Sequence, residues 1–255
     1  MDGTIKVDPA TDAILHVDIQ TAFMGDHKYS GKVLLGGGLP VPGGEEIIFP
    51  ARHDSSFFPD FRRYASLDMH PLGHISFASS HPGFKPYDEL NFDSLRAAYA
   101  NVDVGAHLEF SIGLVAAYLE SIPGEKQTLW PDHALVGSPE TLLHPHLADM
   151  KFREILPKGL DRTCDSYSAV TDNSGRSTGL AERMRKSGVQ RVFLDGLAYT
   201  HCVGWSALGF AKRGFTVFVI KDATRSVPIP GAEAFMDADL AFAGVHIIQG
   251  LQLSR

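Results

Sequence analysis

Little in this chain supports a covalent framework. Its 255 residues hold two cysteines, Cys164 and Cys202. That is too few for a disulfide network and suits a reduced compartment. No apolar run approaches the roughly 18 residues that span a bilayer, and Met1 to Ala10 lacks the basic and apolar blocks of a signal peptide. Positive charge is also short: 23 Lys and Arg against 30 Asp and Glu give a formal net charge of −7. Nucleic acid and anionic membranes are therefore poor candidates for the main partner, since both call for a basic surface. Internal repeats and low-complexity tracts are missing. The loop around Gly36-Gly37-Gly38, Pro40, Pro42, Gly43 and Gly44 lacks the spacing of a phosphate loop. The expectation is a cytoplasmic protein acting on a small molecule.

What is present looks globular. With 44% hydrophobic and 21% charged residues, residues 1–255 read as one domain around one core. Short apolar runs without alternation recur at Ala13 to Val17, Phe152 to Leu156 (the weakest), Arg191 to Leu194, Phe215 to Ile220 and Val245 to Ile248. Such runs suit strands buried on both faces of a parallel sheet. Thr178 to Ser187 and Cys202 to Arg213 have helical spacing, with Gly188 and Gly214 as stops. The alternation predicts an α/β fold, a three-layer α/β/α arrangement with a central, mostly parallel sheet and its reactive groups at the carboxyl ends of the strands. Tyr87 to Lys126, with the amphipathic piece Phe110 to Leu119, breaks the pattern. It reads as an insertion: a helical hairpin, a lid or an oligomer contact.

Several residues carry chemistry. Cys202 follows a strand-like run and a glycine turn and opens a predicted helix, where the helix dipole favours a thiolate and backbone N–H groups can hold an oxyanion. A buried, inert cysteine is an even alternative; Cys164, without that setting, reads as structural. Asp68 and His70, two apart, could share an ion with a remote histidine, with His74 and His81 nearby, although twelve histidines make chance clusters common. Asp18 ends the first strand and Lys158 follows another. Singly each is an ordinary surface or capping residue; converging with Cys202 they would form a catalytic set.

These residues occur within longer blocks. V-D-I-Q-x-x-F from Val17, P-V-P-G-G from Pro40, D-M-H-P-x-x-H-I-S-F-A from Asp68, W-P-D-H from Trp130, Lys158-Gly159 with Asp165 to Ala169, and G-L-A-x-x-x-C-V from Gly196 resemble, in order, the motifs of nicotinamidases in the isochorismatase-like superfamily. The resemblance implies Asp18, Lys158 and Cys202 as catalytic triad. It implies Asp68, His70 and His133 as ligands of one divalent metal ion, zinc before iron or manganese, with His74 a weaker candidate. Phe23, Trp130 and Tyr167 would wall a pocket for a pyridine ring. A cis peptide would fall at Leu197-Ala198, in an oxyanion turn reaching His201. The implied activity is hydrolysis of nicotinamide, and of analogues such as pyrazinamide, in NAD salvage; a homo-oligomer is an open expectation. The chain departs from the pattern at Met69, at Tyr199-Thr200-His201 and in the long loop between Phe23 and Gly44. Two alternatives compete: a metal-free amidase for carbamoyl or ureido substrates on the same scaffold, and a non-catalytic binder of nicotinamide or metal.

Overall fold

The computed structural model describes residues 3–100, 102 and 108–255. Six strands form one parallel sheet: β1 Asp12–Val17, β2 Arg63–Asp68, β3 Glu154–Lys158, β4 Arg191–Leu197, β5 Thr216–Arg225 and β6 His246–Ile248. Their spatial order is β6-β5-β4-β1-β2-β3. The chain starts at β1, builds outward through β2 and β3, then crosses to the other side with β4. That reversal beside β1 is the switch point at which open α/β sheets place ligands.

Both faces of the sheet are covered, which is why the strands read as unbroken apolar runs rather than alternating ones. On one face Ala13, Leu15, Val192, Leu194, Val217 and Val219 pack with Leu180, Phe210 and Leu240, from helices α4 Leu180–Lys186, α5 Gly204–Lys212 and α6 Ala232–Phe242. On the other, Ile14, Phe193, Phe218 and Ile220 pack with Phe58, which follows helix α1 Ile48–Ser55. The rings of Phe193 and Phe218 stack at 4.6 Å.

Residues 87–126 form a helical pair, α2 Phe92–Tyr99 and α3 Ile112–Ser121. Asn91 caps the first with a reciprocal bond from Ser94, and the Ser111 hydroxyl caps the second. Leu95, Val115, Tyr118 and Leu119 bury against Ile75 and Leu129. A two-stranded antiparallel ladder, Glu89–Leu90 with Gln127–Thr128, closes the segment at its base. Residues 101 and 103–107 of this stretch lie outside the described residues.

Two boundaries differ from expectation. The strand expected at Phe152 to Leu156 runs instead over Glu154–Lys158. It is an edge strand with Ile155 turned out at 42% exposure, so its apolar residues do not mark its ends. The helix expected to open at Cys202 is preceded by a π-helical turn, Tyr199–Val203, and Cys202 lies inside that turn. No described helix is long and apolar enough to cross a membrane.

Candidate active site

Three strand ends deliver the central charges. Asp18 follows β1, Asp68 ends β2 and Lys158 ends β3. The Lys158 ammonium lies 2.9 Å from Asp18 Oδ2 and 2.8 Å from Asp68 Oδ1. It donates to the Ser166 carbonyl at 2.9 Å and faces Cys202 Sγ at 3.5 Å. All four side chains are buried. Burial alone would neutralise the lysine, but the two carboxylates outweigh it and hold the Lys158 pKa well above its usual value. The cation is therefore permanent.

Asp18 has a left-handed backbone, φ 50°, which turns the chain sharply at the end of β1. Its Oδ1 accepts from Ser66 Oγ at 2.6 Å. Its Oδ2 meets Lys158 as an ion pair but accepts no hydrogen bond, so a lone pair remains for a proton. Burial raises the Asp18 pKa against the pull of Lys158. Burial likewise pushes the Cys202 thiol well above its usual range, and Lys158 opposes this without overcoming it. Burial therefore opposes the pull toward thiolate that a helix N-terminus supplies.

On the other side of Asp68, its Oδ2 lies 2.9 Å from His70 Nε2 and 3.3 Å from His133 Nε2. Each ring is fixed from behind: His70 Nδ1 lies 3.1 Å from the Gly159 carbonyl, and His133 Nδ1 2.8 Å from that of Pro131. A carbonyl accepts a hydrogen bond, so each Nδ1 donates there, and that leaves each Nε2 turned toward the Asp68 carboxylate. Two imidazole nitrogens and a carboxylate oxygen converging in one buried place are a donor set that a divalent cation can share. The donor set therefore fits a metal ion, and the three ligand atoms lie within 4.8 Å of one another. His74 stands apart. Its ring lies tilted against that of His70 at 4.2 Å, with Nδ1 against Ser76 Oγ and Nε2 against the Asp161 carbonyl. His74 groups instead with His70 and Asp165. His81 bonds the Ile75 carbonyl.

Glycine is required at two points here. Gly159 has φ +75°, and a Cβ on it would fall 2.6 Å from the His70 ring. Gly196 has φ +115°, and a Cβ there would meet the Val17 carbonyl at 2.0 Å. The first allows the histidine to pack on the turn after β3, the second lets β1 and β4 close up beside Asp18.

A pocket opens on these groups. Phe23, Trp130 and Tyr167 line it, with Asp68, His70, His133, His201 and Cys202. Every residue expected for catalysis, metal or ring binding is thus gathered in one place except His74, and the Leu197-Ala198 peptide is cis. His201 packs edge-on against Trp130 at 5.1 Å and Tyr167 at 5.5 Å. Burial lowers its pKa to about 4, so it faces the pocket as a neutral imidazole.

Other participants carried weaker signals. Leu39, Val41 and Val227 line the pocket; the first two sit in the glycine- and proline-rich loop. Gln20, inside the V-D-I-Q block, brackets the Asp68 backbone, donating to its carbonyl at 2.9 Å and accepting from its N–H at 2.7 Å. Gln127 bonds Tyr167 at 2.8 Å, and nothing in the sequence marked it.

Comparison with known proteins agrees with this geometry. The Isochorismatase domain family matches residues 126–247. The nicotinamidase of Escherichia coli is 30% identical over 242 residues, covering 92% of this chain and 94% of the relative. A solved nicotinamidase and pyrazinamidase of Acinetobacter baumanii superposes with a TM-score of 0.75 at 28% identity, covering 96% of this chain and 99% of that one. The L. infantum protein PnC1, solved in complex with nicotinate, gives 0.72 at 27% identity over 98% of both chains.

Proposed function

This chain belongs to the nicotinamidase family of isochorismatase-like hydrolases, and from that premise we propose that it converts nicotinamide to nicotinic acid and ammonia by cysteine catalysis. The observation that carries the reading is one buried lysine, Lys158, within 3.5 Å of Asp18, Asp68 and Cys202 at the edge of an aromatic pocket.

The pyridine ring lies among Phe23, Trp130 and Tyr167, and the carboxamide carbon faces Cys202 Sγ. Asp18 takes the thiol proton as sulfur attacks, while the Lys158 cation stabilises the sulfur's developing charge. Backbone N–H groups of the turn from Leu197 to Cys202 receive the carbonyl oxygen as it gains charge. Asp18 returns the proton to the departing nitrogen; the C–N bond breaks, ammonia leaves and a thioester remains. Water, deprotonated by Asp18, then attacks that carbon; the C–S bond breaks and the proton goes back to sulfur. Asp68, His70 and His133 would hold a divalent metal, with zinc our first choice over iron or manganese. Bound there, it would supply a Lewis acid that polarises and orients the substrate. The metal-free carbamoyl alternative is disfavoured by this donor set, and a pure binder by the intact Asp18, Lys158 and Cys202. The same site would accept pyrazinamide, and the nicotinic acid formed from nicotinamide would feed NAD recovery in the cytoplasm, where Cys202 stays reduced.

Acid-quenching the protein during turnover of nicotinamide and weighing the Cys202 peptide tests this. An added nicotinoyl group supports the reading. Ammonia release without acylated Cys202 would overturn the mechanism, and no ammonia release from metal-loaded protein would overturn the substrate.

A further inference from the structure

The inner wall of the pocket is wired to the helical pair. Tyr167 hydroxyl accepts two hydrogen bonds, from Trp130 Nε1 at 3.1 Å and from Gln127 Nε2 at 2.8 Å. A phenol oxygen has two lone pairs, so both are filled and its own proton is left to donate. No acceptor for that proton is seen among the described residues of the protein. Gln127 turns its amide N–H toward Tyr167 while its Oε1 accepts from the Tyr118 hydroxyl on the other side. That acceptance helps to set which end of the amide points at Tyr167. Gln127 Nε2 also reaches the Thr128 carbonyl at 2.7 Å and Asp165 Oδ2 at 3.2 Å. Tyr118 and Gln127 are 4% and 2% exposed, and neither lines the pocket, although Asp165, which Gln127 bonds, does. Tyr118 belongs to α3, inside the stretch that broke the α/β pattern. From the other side, the Asn173 amide oxygen accepts the Tyr167 backbone N–H at 3.0 Å.

We propose that Tyr118 and Gln127 are positioning residues that set the Tyr167 hydroxyl as a hydrogen-bond donor to the ligand in the pocket, so that the helical pair α2–α3 determines how tightly substrate is held. This rests on the amidase reading of the pocket for the identity of the ligand, though not for the existence of the wire. The group recognised is a hydrogen-bond acceptor on a small aromatic amide or on its acid product. Because the donor is preset before binding, the chain is expected to act on substrate affinity more than on the chemical step.

The test is a double-variant cycle read two ways. Tyr118→Phe removes one hydroxyl remote from the reacting atoms. It is expected to move the indole N–H resonance of Trp130 while that of Trp205 stays in place. It should raise KM for nicotinamide about three- to tenfold, the worth of one hydrogen bond, with kcat within about twofold. In a Tyr167→Phe background, Tyr118→Phe should change KM no further, since its effect runs through the missing hydroxyl. Gln127→Glu keeps the acceptor for Tyr118 but offers Tyr167 an acceptor as well. The Tyr167 proton then turns inward, and KM should rise as in Tyr167→Phe. A Trp130 resonance that does not move, KM effects that multiply in the double variant, or an unchanged KM in Gln127→Glu would each overturn the proposal. If the wild type releases no ammonia from nicotinamide, the substrate reading has failed, and the Trp130 resonance still decides the wire by itself.

Discussion

Strands β1 and β4 build two acid–base clusters, one at their carboxyl ends and one beneath α1. At the ends stand Asp18 and, beyond β4, Cys202. Beneath α1, His16 Nδ1 lies 2.7 Å from Asp195 Oδ1 and its Nε2 lies 3.1 Å from Ser55 Oγ. That is the connectivity of a serine, a histidine and an aspartate in a hydrolase triad. Yet His16, Asp195 and Ser55 are all at 0% exposure, whereas Cys202 lines the pocket. The comparison separates two things that sequence motifs run together. A chain of hydrogen bonds orients a nucleophile; only an opening with room for a carbonyl lets it react. The front cluster adds a fixed cation, Lys158, and the rear one has none within ion-pair reach among the described residues.

The largest effect should come from breaking the front cluster at its nucleophile. Cys202→Ala should lower kcat/KM for nicotinamide by at least about a thousandfold, since removal of a triad nucleophile forfeits most of the rate. Its thermal midpoint should stay near that of the wild type. Activity surviving this change would make the thiol incidental. Next in size is His16→Ala at the rear. It leaves the Asp195 carboxyl buried without its partner and should cost about 3 kcal/mol or more in urea unfolding, with the kcat of the folded fraction kept within severalfold. A catalytic collapse without loss of stability would show that the sealed cluster takes part in the reaction. Third, a chelator should strip metal from Asp68, His70 and His133 and lower activity about a hundredfold or more, reversibly on re-addition. If metal analysis finds an ion lost while turnover is unchanged, those side chains serve only as a structural knot.

How far the sequence could reach follows the same division. Asp18 stands where an apolar run is stopped by a polar residue, but its joint role with Lys158 and Cys202 was implied by the resemblance of the blocks around them. The blocks around them were specific in order. Helix α1 was not anticipated: its buried face carries Asp54 and Ser55 beside Ile48 and Ala51, so polar residues occupy positions where an apolar stripe would have signalled a helix. The rear cluster was invisible because His16 sits inside, and Asp195 just beyond, runs read only for their hydrophobic members. Gln127 and Tyr118 escaped because their meaning is a register across a closed loop, and no local period encodes that. The helix-terminus argument for Cys202 leaves out burial, which opposes it and is visible only in the fold.

The smallest predicted effect sharpens the rear side of the comparison through pH. Asp54, on α1, is 1% exposed and its Oδ2 has no partner. Burial first, then the nearby Asp195, raise its pKa to about 7, with Asp222 adding to the rise and His53 opposing it. A carboxyl whose folded pKa lies above its unfolded one binds a proton in the folded state that the unfolded chain has already released. Its contribution to stability is therefore lost as pH rises from about 4 toward 7, and the full penalty stands above 7. A shift of roughly three units corresponds to at most about 4 kcal/mol, and access of water from the His53 side will reduce it. Asp54→Asn supplies a neutral group of the same shape at every pH. The variant should match the wild type in urea unfolding at pH 4 and exceed it by about 1–3 kcal/mol at pH 8. An equal difference at both pH values would mean that Asp54 does not titrate between them, and that the sealed cluster holds its charge without the front cluster's lysine.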